Sequence, residues 1–233
     1  MIQEILDPVT HKPIIRAEDY HRLFEVRSAV PSATNPNEMI VEGKPISFED
    51  RQLLYTYHSD YIGKQVSVYE TISRGALDAT DSTNCFMKYN HSDEVMPMAR
   101  TKNHTLELNK KDDGLYIRAN LANITAGRDL FELVKRGDID KMSFAFEIDP
   151  NGGLEMTTVE DDESMTVDRK VYKISKLYDV SAVPMAAYDN TSINARSKDD
   201  VETFIRNLEG QRKAKMEEEL RLARARAGVY MTR

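Results

Sequence analysis

The sequence predicts an α+β fold, mainly an antiparallel closed β-barrel with packed helices, followed by a charged helical tail. Many short segments alternate apolar and polar residues, which is typical of strands that bury one face. One stretch among them, residues 125–136, has the period of an amphipathic helix instead. From about Ser197 the composition shifts to a charge-dense run of good helix formers. Many strands around one central helix favour a closed or nearly closed barrel.

The strands are placed by alternation and by the turn residues between them. The first begins near Leu23 and Phe24, and a loop rich in Pro, Ser and Asn follows over 30–37. Residues 45–63 lack clean periodicity and are interpreted as a variable surface region, while 72–77 predict a short turn or helix. The further strands are predicted at 39–43, 66–70, 86–89, 104–108, 115–121, 142–148, 169–174 and 177–183.

Three local signals refine this order. A hairpin turn at 112–114 joins the strands on either side of it. Thr125 is predicted to cap the helix and Gly137 to end it. The acidic stretch within 151–163 is predicted to be a mobile loop, and the strand at 169–174 is expected to pair with the last one.

The chain is predicted to have three parts: an N-terminal arm at 1–25, a main domain at 26–196 and a helical tail at 197–233. In the tail, Val201, Phe204, Ile205 and Leu208 keep helical spacing, and Gly210 is expected to interrupt the helix. Its apolar stripe is thin, so this helix is expected either to dock on a partner or to fray.

Bulk properties exclude several classes of protein. A chain of 233 residues and 26.6 kDa can hold one sizeable domain and an appendage. The lone Cys85 rules out an intramolecular disulfide, and a net charge of -7 argues against a nucleic-acid partner. No apolar run of ~20 residues predicts a membrane span, and the N-terminus does not have the pattern of a secretory signal. No histidine has the spacing of a zinc ligand, so neither metal nor cofactor is predicted.

The residues that indicate chemistry are a hydroxyl, an imidazole and a carboxylate. Ser143 interrupts an otherwise apolar strand directly after the helix, where a serine is unusual. His91 stands in a polar turn after the aromatic strand at 86–89, and Asp179 opens the last strand. A nucleophile, a base and an orienting acid are the parts of a serine hydrolase. They lie far apart in the sequence, so the fold has to bring them together.

Three motifs, which occur in the same order along the chain as in the family, resemble the prohead protease family of tailed bacteriophages, which is related in fold to herpesvirus assemblin. They are FELVKRGD (131–138) followed by MSFAF (142–146), NHSD (90–93), and KLYDVSAVP (176–184). The resemblance covers roughly residues 26–193. The chain has alanine at Ala99 and Ala145, where the family usually has glycine, and Asp179 where glutamate is commoner.

The resemblance implies a serine endopeptidase of capsid maturation. Ser143 is expected to attack the scissile carbonyl, His91 to move the proton, and Asp179 to orient the imidazole. The implied substrates are the major capsid protein, a scaffold segment and the enzyme itself. The implied location is the assembling prohead in the host cytoplasm, the gene being carried by a phage or a prophage, and whether the chain forms a homo-oligomer stays open.

Several alternatives stay open at this point. His104 competes with Asp179 as the third member, because herpesvirus relatives use a second histidine there. Arg100, Arg128 or backbone amides could stabilise the oxyanion. A chain that keeps the fold but acts only as an assembly or scaffolding factor is the main rival to a protease. A cysteine hydrolase based on Cys85 is weaker, because on one strand this thiol would lie roughly 20 Å from His91.

Overall fold

The structure is a computed structural model that describes residues 24–31, 38–184 and 193–230. It is α+β, with twelve strands and two α-helices in the described ranges. The predicted N-terminal arm lies almost entirely outside these ranges. The strands are β1 (Phe24–Pro31), β2 (Met39–Ser47), β3 (Gln52–Ser59), β4 (Lys64–Ile72), β5 (Phe86–Tyr89), β6 (Ala99–Arg100), β7 (Leu106–Lys111), β8 (Gly114–Leu121), β9 (Lys141–Ile148), β10 (Leu154–Glu160), β11 (Ser164–Val171) and β12 (Ile174–Val183); the helices are α1 (Thr125–Arg136) and α2 (Ile193–Tyr230).

The strands form two sheets. The larger has the order β6-β5-β12-β9-β1-β2-β8-β7 and the smaller the order β10-β11-β4-β3. All pairs are antiparallel except β5 with β12 and β4 with β11. The two ends of the larger sheet lie close to each other. The Ala122 N–H, just after β8, which is next to the end strand β7, donates to the Met98 carbonyl, just before the opposite end strand β6. No strand ladder joins these ends within the described residues, so the predicted closed barrel is not confirmed.

The main core lies between the larger sheet and α1. Leu130 and Val134 of α1 are buried in one apolar cluster with side chains of the strands, among them Phe144 and Phe146 of β9. Gly137 ends α1 in a left-handed conformation, with φ of 81°, as predicted. The predicted cap is wrong by one position: Ile124 is the N-cap without a side-chain bond, and Thr125 is the first helical residue.

The hairpin of β7 and β8 confirms the predicted turn. Lys111 pairs with Gly114, and Asp112 and Asp113 form the two-residue connection. A side chain at Gly114 could not be accommodated, because a Cβ there would lie 2.1 Å from the Ile46 carbonyl oxygen. Glycine therefore allows β2 to approach the start of β8.

Three of the sequence predictions for the smaller sheet are wrong. The supposed surface region contains β3, in which a β-bulge between Leu53 and Tyr55 breaks the alternation. Most of the supposed mobile loop is β10, which is paired residue by residue with β11. The segment expected to pair with the last strand belongs mostly to β11, whose partners are β10 and β4.

The C-terminal helix α2 covers one face of the smaller sheet. Val201 and Ile205 are fully buried there against Val66, Val68 and Met165, and Phe204 packs beside them. The Arg212 guanidinium lies 2.7 Å from the Glu160 carboxylate at the end of β10. Two hydrogen bonds, the stronger effect coming from Lys64 and the weaker from Arg212, lower the pKa of the Glu160 carboxyl group.

Beyond this docked part, α2 continues away from the sheet. Gly210 does not interrupt the helix, which is a correction to the sequence prediction. A helical glycine costs only about 1 kcal/mol. An ion pair of i,i+3 spacing, Glu209 with Arg212, spans it, and a second, Glu218 with Arg221, lies further along the helix. Every side chain from 210 to 223 is exposed. The predicted boundary after residue 196 falls inside α2, and the three-part division stays a prediction.

Candidate active site

The site is built on β12, which lies between β9 and β5 in the larger sheet. Asp179 and Ser181 are two residues apart on this strand and therefore share a face. Across the antiparallel ladder, Ser143 of β9 pairs with Ser181, and Ala145 pairs with Asp179. Directly paired residues lie on the same face of a sheet. The predicted nucleophile and the predicted acid thus stand on adjacent strands, on the face turned away from the main core.

A tight turn after β5 returns His91 to this face. The Ser92 N–H donates to the Tyr89 carbonyl at 3.0 Å, which closes the turn. Its two central residues, Asn90 and His91, have φ values of 49° and 53°. Asparagine and histidine tolerate this left-handed region better than most residues. A bond of 3.0 Å from the Asn90 N–H to the Ala182 carbonyl fixes the turn to β12.

The imidazole of His91 contacts the carboxylate of Asp179. The Nδ1 and Oδ1 atoms are 2.7 Å apart, and each residue is only 4% exposed. A carboxylate only accepts hydrogen bonds, so Nδ1 carries the proton and Nε2 is left with a lone pair. The Nε2 atom is buried and has no hydrogen-bond partner among the described residues. It is therefore the imidazole atom that can take a proton from a substrate or a nucleophile.

Two further side chains surround the Asp179 carboxylate. The Ser181 hydroxyl donates to Oδ1 at 2.9 Å, and its oxygen accepts the His91 backbone N–H at 3.2 Å. The Lys88 ammonium lies 3.8 Å from Oδ2 and 2.7 Å from a carboxylate oxygen of Asp93. The negative charge of Asp179 is thus balanced inside a buried environment, as a buried charge requires.

Ser143 is fully buried within β9. Because Nε2 has no hydrogen-bond partner, the Ser143 hydroxyl does not bond to it in this structure. Such contacts are often loose in an enzyme without substrate. The structure thus brings His91 and Asp179 into contact and puts Ser143 on the neighbouring strand.

The competing residues are placed elsewhere. His104 is exposed and ends the short 3-10 helix Thr101–Asn103, and the hydrogen-bond partner of the His91 ring is Asp179. Cys85 is buried in the main core. Burial is the larger cause that raises the pKa of its thiol, and the negative charge of the nearby Asp179 raises it further. A thiol held in its protonated form is a poor nucleophile.

The two candidate oxyanion arginines have partners of their own. The Arg100 Nε donates to the Asn84 side chain, and the guanidinium lies 4.8 Å from the centre of the Phe86 ring. Arg128 bonds the Asn123 side chain at 2.9 Å, at the start of α1. Neither contact singles out an oxyanion donor.

The departures from the usual family residues are accommodated. Ala99 and Ala145 lie in strands and are not among the described residues with positive φ, so alanine is not strained at either position. Asp179 reaches the imidazole although its side chain is one methylene shorter than that of glutamate.

Sequence reasoning overlooked one residue of this site, Ser181. It lies within the quoted segment 176–184 and, like Ser143, interrupts an apolar strand. The available signal was its spacing of two residues from Asp179, which predicts a shared face.

A serine hydroxyl on β9 and a buried imidazole–carboxylate pair beside it are the groups that serine hydrolases use. Comparison with protein families narrows this class. The chain belongs to the caudovirus prohead serine protease family, whose model matches residues 31–204. Searches among curated proteins and among solved structures return no match.

The described residues contain no group of three or more His, Cys, Asp or Glu side chains that could hold a metal ion. No helix in the same residues is long and apolar enough to cross a membrane.

Proposed function

We propose that this chain is a serine endopeptidase that cleaves the major capsid protein, a scaffold segment and itself while the prohead matures. Membership of the prohead serine protease family supports a role in capsid maturation. The observation that carries the proposal is the buried contact of 2.7 Å between His91 Nδ1 and Asp179 Oδ1, on the sheet face that also holds Ser143. The enzyme works inside the assembling prohead in the host cell.

The reaction follows from the positions of these groups. The unprotonated Nε2 of His91 takes the Ser143 proton as the hydroxyl oxygen attacks the scissile carbonyl. The ring then carries a positive charge, which the adjacent Asp179 carboxylate balances. The imidazolium next gives this proton to the leaving amine, and a water molecule hydrolyses the acyl-enzyme by the same route.

The test is co-expression with the major capsid protein of the same phage. We expect the wild-type chain to shorten the capsid protein at its N-terminus, and Ser143→Ala to leave it at full length. Ser59→Ala is the matched control, since Ser59 is an equally buried strand serine in the smaller sheet. Replacing one buried hydroxyl by hydrogen removes little packing, so Ser143→Ala should fold normally.

Two outcomes would contradict the proposal. Identical full-length capsid protein with wild type and Ser143→Ala would favour the scaffolding role, for which the exposed half of α2 is the observation in support. A loss of several kcal/mol of stability in Ser143→Ala would identify Ser143 as a structural residue.

A further inference from the structure

Ser181 is a buried hydroxyl to which the mechanism above gives no role. It is fully buried on β12, directly opposite Ser143 of β9 and two residues after Asp179. A buried hydroxyl costs free energy unless it is hydrogen-bonded. Its hydroxyl bonds the Asp179 carboxylate and the backbone N–H of His91.

The direction of these bonds follows from chemistry. A hydroxyl has one proton, and a carboxylate and a backbone N–H leave no choice about where that proton goes. Ser181 donates it to Asp179 Oδ1, and its oxygen accepts the His91 N–H. Together with the bond from His91 Nδ1 to the same Oδ1, these contacts form a closed ring of three hydrogen bonds.

This ring links the backbone of His91 to the orientation of its side chain. The His91 backbone has a φ of 53°, a region in which most residues other than glycine are uncommon. The Ser181 oxygen holds that backbone by accepting the His91 N–H. The Ser181 proton holds Asp179 Oδ1, the oxygen that the imidazole contacts. Without the hydroxyl, Oδ1 would lose one of its two donors and the turn would lose a bond to β12.

Ser181 is also not the nucleophile. Its proton lies on the Nδ1 side of the imidazole, bound to the carboxylate, whereas the basic atom is Nε2. A serine activated by His91 must reach Nε2 instead.

We propose that Ser181 is a positioning residue, which keeps His91 in the Nδ1–H tautomer and holds Asp179 in line with the ring. The catalytic consequence rests on the proposed protease function, whereas the tautomer does not depend on it.

The first experiment measures the tautomer directly. In protein labelled with ¹⁵N-histidine, the nitrogen shifts of His91 separate the Nδ1–H form from the Nε2–H form at a pH where the ring is neutral. We expect one dominant Nδ1–H form in wild type and in Ser59→Ala, and a mixture of both forms in Ser181→Ala. If Ser181→Ala keeps the single form, the proposal is wrong. Should this variant not fold, Ser181→Cys keeps the shape with a weak donor and is expected to give the mixture as well.

The second experiment measures cleavage of a capsid-derived peptide. We expect Ser181→Ala to lower kcat by about 10- to 100-fold with little change in KM, because substrate binding does not use this hydroxyl. In an Asp179→Ala background the same change should cost less than about threefold, since the partner to be positioned is gone. An equal loss in both backgrounds would mean a general structural role and overturn the proposal.

The two experiments separate the two claims. If wild type shows no Ser143-dependent cleavage but Ser181→Ala still converts the His91 tautomer, the protease function fails and the role of Ser181 stands. If cleavage depends on Ser143 while Ser181→Ala changes neither the tautomer nor kcat, the protease function stands and the proposed role of Ser181 fails.

Discussion

His91 combines two properties that rarely occur in one residue: a left-handed backbone and a fully enclosed side chain. Residues held in such sparsely populated conformations cost about 1–3 kcal/mol and persist where the surrounding structure fixes them. Here the Asn90 N–H and the His91 N–H both bond to β12, which supplies the fixing contacts. The backbone strain is therefore maintained at the residue whose imidazole performs the proposed proton transfer.

The role of Asp179 can be separated from that of His104 by substitution. We expect Asp179→Asn to lower kcat on the order of 10⁴-fold, because an amide no longer selects the Nδ1–H tautomer or balances the imidazolium. KM should change little, since substrate binding does not involve this buried side chain. His104→Ala, at an exposed position, should leave kcat within about twofold. Peptide hydrolysis measured for both variants decides the matter: a severe loss in His104→Ala and a mild one in Asp179→Asn would reverse the assignment.

Much of the candidate site could be predicted at this scale. Ser143 and Asp179 are polar residues in apolar strands, and His91 stands in the polar turn directly after a strand, so each can be recognised in the sequence. The contacts among them could not be predicted, because they depend on the left-handed turn and on the pairing of β12 with β5 and β9.

At the scale of elements, the smaller sheet depends on a buried ion pair. Arg169 of β11 and Glu70 of β4 pair across the parallel ladder with 3.3 Å between Nε and Oε2, and both side chains are almost completely buried. Charges buried in this way are tolerated only when they are paired. The pair therefore favours the register in which Arg169 lies opposite Glu70.

Removing one member of this pair should destabilise the fold strongly. We expect Glu70→Ala to lower the free energy of unfolding by about 3–5 kcal/mol, because Arg169 stays buried without that carboxylate. The control is Glu218→Ala, which removes the exposed pair with Arg221 and should cost less than about 1 kcal/mol. Urea denaturation measures both, and equal small losses would contradict the expected importance of burial.

The docking of α2 can be tested in the same way. Ile205→Ala removes a fully buried side chain from the interface between α2 and the smaller sheet and should cost about 2–5 kcal/mol. Leu220→Ala, at an exposed position further along the helix, should stay within about 0.5 kcal/mol of wild type. Urea denaturation again gives the comparison. A negligible effect of Ile205→Ala would mean that α2 does not contribute to the stability of the sheet.

The elements that alternation predicts best are those with one strictly buried face. β8 is of this kind, and its position was predicted closely. β3 was not predicted, because its bulge shifts the phase of the alternation and its apolar Leu53 is 46% exposed. β10 was not predicted as a strand, because its apolar Val159 is 72% exposed and acidic residues lie beside it in the sequence. An alternating pattern cannot indicate a strand whose apolar residues do not all face inward.

For the whole molecule, the docked and exposed parts of α2 suggest separate roles. Val201 and Ile205 complete a core, whereas the side chains from 210 to 223 are all exposed, and Arg212 among them pairs with Glu160. We propose that the exposed part docks on scaffold or capsid protein and directs the protease into the prohead. Many charges of both signs beside a thin apolar stripe suit such a weak helix-mediated contact.

Two truncated chains distinguish these roles. A chain that ends at Lys213 keeps the buried residues of α2 and the Arg212 pair, so we expect it to cleave a soluble capsid-derived peptide at the wild-type rate but not to co-purify with proheads. A chain that ends at Arg196 lacks Val201 and Ile205 and should be destabilised. Co-purification of the Lys213 chain with proheads at the wild-type level would show that the exposed part is not a targeting element.

The parallel pairing of β5 with β12 also determines when a newly made chain can first act. His91 and Asp179 are 88 residues apart in the sequence, and β12 is the last strand of the sheet to leave the ribosome. At a synthesis rate of roughly 5–20 residues per second, their appearance is separated by about 4–18 s. Throughout that interval the growing chain has an imidazole without its orienting acid. We therefore expect a nascent protease to be harmless to its own polysome, and to begin cleaving only once translation of the sheet is complete.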